Sequence, residues 1–152
     1  MGESETPGIR IRGARPSDLA EVSRLLHASG LPLDGLEAAL AHGLVASLDG
    51  RLVGCVALEL YGESALLRSL AIAPELRGQG LGAVLTRRAL DLARTLGAHD
   101  VYLLTQTASG FFPRFGFAPE ERPKAPTPVR NSVEFRSACP ESALFMHARV
   151  VS

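Results

Sequence analysis

The stretch LAIAPELRGQGLG, residues 70–82, restricts the possible folds more than any other part of this 152-residue chain. An apolar run ends at Pro74, and Arg77 is followed by glycines at positions 78, 80 and 82. From Gly80 to Leu96 apolar residues recur at helical spacing, which predicts a long amphipathic helix. Because the first amides of a helix have no partner within it, the loop predicts a site where a pyrophosphate can approach the backbone.

Two common phosphate-binding motifs explain these glycines poorly. A P-loop requires Gly-Lys-Ser/Thr, which the chain lacks. Gly78, Gly80 and Ala83 satisfy the dinucleotide pattern G-x-G-x-x-A, but that pattern should follow the first strand of a parallel sheet, whereas here it lies in mid-chain. On the motif alone, a glycine-rich turn without a ligand is the simple alternative.

The composition is that of one globular domain over residues 1–152, in which we expect residues 1–8 to form a flexible tail. Hydrophobic residues make up 46% and charged residues 21% of the chain. The formal net charge is zero, so bulk charge favours neither nucleic acid nor an anionic membrane as a partner. No apolar run reaches the length of a membrane span.

The two cysteines, Cys55 and Cys139, make neither a disulfide framework nor a metal site. The polar, acidic first residues lack the pattern of a signal peptide, so a cytoplasmic location is the default expectation. The four histidines show no spacing typical of metal ligands, and we expect no metal. The sequence does not fix the oligomeric state, and a homodimer is possible.

The remaining patterns predict a mixed, mostly antiparallel α+β sheet flanked by helices. Strands are expected at residues 9–14, 44–48, 52–61, 65–73, 101–104 and 143–151. Helices are expected from Ser17 as N-cap to Gly30, from Asp34 as N-cap to Leu40, over 80–96, and over 109–115. The four prolines within residues 119–128 predict a loop.

A second motif follows the glycine loop and resembles a known family. The segment TQTASGFFPRFGF contains Ala108, Phe111, Gly116 and Phe117 at the spacing of the second signature of the GNAT superfamily of N-acetyltransferases. The pyrophosphate loop of that superfamily is Arg/Gln-x-x-Gly-x-Gly/Ala after a strand, and Arg77, Gly80 and Gly82 match it. Including FRSACPESALFM near the end, the chain looks most similar to arsenic-resistance-associated N-acetyltransferases and short N-acetylglutamate synthases.

This resemblance implies the GNAT fold and acetyl-CoA as co-substrate. It also implies the residues that bind acetyl-CoA: Leu70, Ala71, Ile72, Arg77, Gly78, Gln79, Gly80, Leu81, Gly82, Thr105, Phe111 and Phe112. Two of them depart from the family pattern. Phe112 replaces a tyrosine proposed as general acid and cannot donate a proton, so water or Ser109 would have to do so. Thr105 replaces an asparagine, and its hydroxyl could substitute for the amide.

The hairpin register predicts where two charged side chains meet. If Gly62-Glu63 forms the turn, Glu59 lies opposite Leu66, and Arg68 lies opposite Ala57. Glu59 and Arg68 are then diagonal neighbours on one face of the sheet, within reach of each other. A shift of one residue would separate them.

These two residues are the candidates for acceptor chemistry. The family often places a glutamate base early on this strand, where the chain has Leu66 and Leu67. Glu59 could instead act as the base or bind the ammonium, and Arg68 could bind a substrate carboxylate with its planar fork. The alternative for both is a plain cross-strand ion pair. Cys139 could line the acceptor pocket, where a thiol would suit an arsenical, or could be structural.

The sequence therefore predicts direct acetyl transfer from acetyl-CoA to a small-molecule amine, without a covalent enzyme intermediate. The expected acceptor is amino-acid-like and could be an arsenical. The alternatives are a protein or peptide N-acetyltransferase, which would need an open groove, and a non-catalytic acyl-CoA-binding module, which Phe112 makes conceivable.

Overall fold

A computed structural model describes residues 8–138 and 142–150. The strands are β1 Arg10–Gly13, β2 Gly43–Leu48, β3 Arg51–Tyr61, β4 Ser64–Ile72, β5 Asp100–Thr105, β6 Ala118–Pro119 and β7 Leu144–Arg149. The helices are α1 Leu19–Ala28, α2 Leu36–Ala39, α3 Leu81–Thr95 and α4 Thr127–Arg130. The predicted tail lies almost wholly outside the described residues.

The strands form one seven-stranded sheet in the order β1-β2-β3-β4-β5-β7-β6. All neighbours are antiparallel except β4 and β5, which are parallel, and this confirms the predicted mixed α+β sheet. Adjacent residues of a strand point to opposite faces, and β2 shows the result: Val45 packs in the core beside α1, whereas Ala46 packs in the core beside α3. The sheet is thus covered on both faces.

The β3–β4 hairpin has the predicted register, with Glu59 opposite Leu66 and Arg68 opposite Ala57. Further along, the register shifts by one residue, so that β4 carries an extra residue. Ser69 lies in this bulge and has a φ of 63°, a left-handed conformation that a residue other than glycine rarely adopts. The bulge therefore redirects the last part of β4.

The parallel pairing between β4 and β5 is short. It joins residues 64–66 to residues 100–102, whereas β5 stays paired with β7 as far as Thr105. The carboxyl ends of β4 and β5 are consequently not hydrogen-bonded to each other. A gap opens between them beside the start of α3.

Three predicted helices differ from the structure. α1 begins at Leu19, and Ser17 lies in the 3-10 turn Pro16–Asp18, where the carboxylate of Asp18 instead accepts hydrogen bonds from Arg12 and the amide of Arg15. The N-cap of α2 is Gly35 at positive φ, not Asp34. Residues 109–115 give only the 3-10 turn Phe112–Phe115, because Pro113 lacks the amide that an α-helix needs.

The predicted proline-rich loop is more structured than its sequence indicates. It contains the 3-10 turn Arg122–Lys124 and the start of α4. A π-helical turn, Glu134–Ala138, follows α4 and was not predicted. Within the described residues, no helix is both long and apolar enough to cross a membrane.

Candidate active site

A cavity of about 510 Å³ fills the gap between β4 and β5. This volume is within the usual range for a small-molecule site. The cavity is lined by residues 29–32, 67–72 and 103–108, together with Arg77, Gly82, Phe111, Phe112 and Glu134. The structure therefore brings both sequence motifs and Arg68 to one cavity.

The glycine loop holds its backbone open at the start of α3. Gly78 and Gly80 have φ values of 80° and 89°, and Gly80 is the N-cap of α3. Arg77 anchors the loop, because its Nε donates to the carbonyl of Ile72 at 3.1 Å. The loop thus presents the first amides of a 15-residue helix next to the end of β4, and this backbone fits an anionic pyrophosphate.

Phe111 and Phe112 form an apolar aromatic wall of the cavity. The rings of Phe111 and Phe112 meet edge to face at 5.1 Å, and Phe112 packs in the same way on Phe117 at 5.7 Å. A Cβ at Gly82 would lie 3.7 Å from Phe111, so the wall is packed closely against the start of α3. Phe112 is buried and offers no proton donor.

Thr105 lies at the cavity edge of β5. Its Oγ1 accepts a hydrogen bond from the amide of Ala108 at 3.0 Å, which fixes the turn that leads to the aromatic wall. The hydroxyl proton can still be donated into the cavity. Ser109 is exposed and is not among the described residues that line the cavity.

Arg68 lies on β4 with its side chain 0% exposed. Its Nη1 donates to Glu59 at 2.8 Å, and its Nε donates to the hydroxyl of Ser69 at 2.9 Å. The carboxylate of Glu134 lies 3.6 Å from Nε. The remaining nitrogen, Nη2, is buried and has no hydrogen-bond partner among the described residues.

Glu59 is held on both of its oxygens. One accepts from Arg68 and the other from the hydroxyl of Tyr61. Two main effects raise the pKa of Tyr61: burial, which is the larger, and the hydrogen bond to Glu59. The phenol therefore stays protonated and donates. The predicted proximity of Glu59 and Arg68 is thus confirmed, and the two side chains form an ion pair. Glu59 is not among the described cavity-lining residues, and its role as base stays a prediction.

The bulge at Ser69 is supported from the neighbouring strand. Cys55 donates its S–H to the carbonyl of Ser69 at 3.2 Å. Burial raises the pKa of this thiol to about 12, so it stays protonated as a small core residue. Ser69 and residues 70–72 line the cavity, and the bulge therefore aims this part of β4 at any ligand bound there.

Glu134 is a charged site residue that the sequence did not predict. Only 4% of its surface is exposed, and it lines the cavity. The buried hydroxyl of Ser132 holds its segment, because it donates to the carbonyl of Val129 and accepts from the amide of Phe135. The only signal in the sequence is one acidic residue between Val133 and Phe135.

Two further expectations concern metals and Cys139. Among the described residues, no group of three or more His, Cys, Asp or Glu could hold a metal ion. Cys139 lies outside the described residues, so its predicted place in the acceptor pocket stays a prediction.

The chain is similar in sequence to known acetyltransferases. The acetyltransferase (GNAT) family matches residues 16–117. An uncharacterized N-acetyltransferase of Chlorobaculum tepidum is 31% identical over 145 residues, which cover 88% of this chain and 93% of the relative. An amino-acid acetyltransferase of Mycobacterium tuberculosis is 33% identical over 117 residues, which cover 70% of this chain and 67% of the relative.

Solved structures share the fold. N-acetylglutamate synthase from Neisseria gonorrhoeae, complexed with coenzyme A and N-acetyl-glutamate, aligns with a TM-score of 0.81 at 22% identity over 95% of this chain. The chain spans only 35% of that enzyme. The ribosomal-protein-S18-alanine N-acetyltransferase from Escherichia coli aligns with a TM-score of 0.72 at 17% identity over 95% of both chains. At these identities the likeness shows the fold alone.

Proposed function

This chain belongs to the GNAT family of acetyltransferases, and we propose that it acetylates the amine of a small, amino-acid-like acceptor. It is an N-acetyltransferase with acetyl-CoA as co-substrate. When bound, acetyl-CoA supplies a thioester carbonyl that a neutral amine can attack directly. The observation that carries the acceptor assignment is the buried Nη2 of Arg68 at the cavity, which has no hydrogen-bond partner in the described part of the chain.

The cofactor half of the cavity fits acetyl-CoA. The glycine loop of residues 77–82 would hold the pyrophosphate through the amides at the start of α3. The backbone of residues 70–72 lines the cavity beyond the bulge, and a backbone amide of this stretch would polarise the thioester oxygen. Phe111 and Phe112 also line the cavity and would shield the reacting atoms from water.

The acceptor half of the cavity fits a carboxylate. A buried donor without a partner costs about 1–3 kcal/mol, and a carboxylate oxygen on Nη2 of Arg68 would remove that cost. Glu59 already balances the charge on Nη1 and fixes the guanidinium plane. Gly35 lies above the cluster, where a Cβ would come within 3.2 Å of Nη1. Because Arg68 is fully covered, the acceptor must displace covering residues slightly to reach it.

Thiol release from acetyl-CoA with a panel of amines tests this function. The panel contains the common amino acids, their α-amides, an arsenical amino acid and short peptides. We expect a free amino acid to react fastest and its α-amide about 10- to 100-fold more slowly, since one charge-assisted contact is worth about 1.5–3 kcal/mol. The arsenical tests the resemblance to arsenic-resistance-associated enzymes.

Two outcomes would favour the other candidates. Faster reaction with peptide amines than with every free amino acid would favour a protein N-acetyltransferase, as the fold shared with the S18-alanine enzyme allows. If acetyl-CoA binds in calorimetry but no amine of the panel causes release of coenzyme A thiol, a non-catalytic binding module would be favoured. Either result would overturn the proposed acceptor class.

A further inference from the structure

Two carboxylates flank Arg68, but they differ in access to the cavity. Glu59 is absent from the described cavity lining, and both of its oxygens are held by donors. Glu134 lines the cavity, and its carboxylate lies 3.6 Å from Nε of Arg68. The carboxylate that an acceptor can reach is therefore Glu134.

We propose that Glu134 is a catalytic residue that binds the ammonium of the acceptor and accepts its proton. This inference rests on the proposed N-acetyltransferase reaction, but it does not depend on which amine is the acceptor. It assigns to Glu134 the role for which the sequence suggested Glu59.

The charged groups next to Arg68 favour an ammonium at that end of the cavity, away from Arg77 of the glycine loop. Arg68 of β4 contributes one positive charge, while Glu59 of β3 and Glu134 contribute two negative charges, with the phenol of Tyr61 beside them. The arginines of α4 and of the segment that carries Glu134 point to solvent, since Arg130 and Arg136 are exposed. These three charged side chains sum to −1, and the ammonium of an acceptor would neutralise that charge.

The segment that carries Glu134 is held firmly in place. Phe135 packs edge to face on Phe145 of β7 at 5.4 Å, and the guanidinium of Arg122 lies 5.4 Å from the Phe135 ring. Arg122 also donates to the carbonyl of Ala143 at 2.6 Å. These contacts fix the direction from which the carboxylate of Glu134 enters the cavity.

The protons balance as follows. Glu134 takes one proton from the ammonium and leaves a neutral amine. The amine nitrogen bonds to the thioester carbon, and the C–S bond breaks with its electron pair on sulfur. The second nitrogen proton passes to that thiolate through water, because Phe112 cannot donate one. Glu134 then releases its proton to solvent, so the products are the amide, coenzyme A thiol and one proton.

The test compares Glu134→Gln with Glu59→Gln and with Glu121→Gln, an exposed glutamate away from the cavity. The substrate is L-glutamate, or the best amine of the panel. We expect Glu134→Gln to lower kcat/KM at neutral pH at least about 100-fold, with acetyl-CoA affinity unchanged by calorimetry. Glu121→Gln should match the native protein in both measurements.

The pH profile separates a base from a structural role. In the native enzyme, kcat/KM should level off above the pKa of Glu134. In Glu134→Gln only the neutral amine can react, so kcat/KM should rise about tenfold per pH unit up to the pKa of the amine. Hydroxylamine is already neutral near neutral pH, and the variant should acetylate it almost as fast as the native enzyme.

Each failure has its own signature. An equal loss for Glu134→Gln at every pH and with both amines would overturn the base assignment and leave a structural role. If kcat/KM of Glu134→Gln does not depend on pH while that of Glu59→Gln rises steeply with pH, the base is Glu59. If the enzyme prefers a peptide amine, the proposed small-molecule acceptor is wrong, but the role of Glu134 can still be tested by measuring the same pH profiles with that peptide. Glu134→Asp tests rescue by a shorter carboxylate if the glutamine variant unfolds.

Discussion

Arg68→Lys is the change that tests the proposed carboxylate contact most sharply. Alanine would remove the cation that Glu59 pairs with, and breaking a largely buried ion pair in this way typically costs about 3–5 kcal/mol and could unfold the protein. Lysine keeps the charge but concentrates it on one nitrogen. It cannot bond Glu59 at 2.8 Å and Ser69 at 2.9 Å and also fill the position of Nη2.

Arg68→Lys should lose only the free energy of the contact between Arg68 and the acceptor carboxylate. A charge-assisted hydrogen bond is worth about 1.5–3 kcal/mol, so kcat/KM for a free amino acid should fall about 10- to 100-fold. Acetyl-CoA affinity should stay within about twofold, because Arg68 makes no described contact with the glycine loop. Arg12→Lys is a matched control, since Arg12 pairs with Asp18 away from the cavity.

A double cycle with the acceptor decides the outcome. The native enzyme and Arg68→Lys are each assayed with an amino acid and with its α-amide. If Arg68 binds the carboxylate, amidation should slow the native enzyme about 10- to 100-fold and the variant hardly further, because both changes remove one interaction. Losses that simply multiply would refute the contact and leave Arg68 as the partner of Glu59.

Three other variants address the cofactor loop, the missing acid and the fold. Gly80→Val should weaken acetyl-CoA binding in calorimetry at least about tenfold, whereas Gly97→Val, at a similar positive φ at the other end of α3, should not. Phe112→Tyr should change kcat only modestly; a rise of about 100-fold would mean that an acid is missing. Arg12 lowers the pKa of Asp18 below its usual 3.8, so this pair stabilises the fold above that pH and the stabilisation is lost as pH falls through the lowered value. Asp18→Asn should reduce the free energy of unfolding at neutral pH by about 1–2 kcal/mol and remove that part of the acid dependence.

The parts of the fold that were predictable depend on short-range rules. The two-residue turn after Tyr61 determines the hairpin register, and the register alone places Glu59 beside Arg68. Helical periodicity between two glycines similarly bounds α3. In both cases the determining residues lie within one local segment.

The features that were missed depend on distant parts of the chain. Glu134 reaches the cavity only because α4 and the turn after it pack against β4 and β7, and no local pattern marks that contact. Ser17 is a good cap by residue type, but Asp18 takes the anchoring role through Arg12, which lies on β1. The gap between β4 and β5 forms because their hydrogen-bonded pairing stops early. The sequence of neither strand alone predicts where that pairing stops.

The bulge at Ser69 and the cluster around Arg68 are best understood together. A left-handed residue other than glycine within a strand costs about 1–2 kcal/mol, and buried ion pairs can often be replaced by apolar residues without loss of stability. Neither feature is therefore explained by stability alone. Yet the hydroxyl of Ser69 fixes Nε of Arg68, and the same bulge directs residues 70–72 into the cavity. The single bulge in β4 thus positions both the arginine proposed to bind the acceptor and the backbone proposed to bind the thioester. The strain at Ser69 lowers folding stability, and the proposed reaction explains why the chain keeps it.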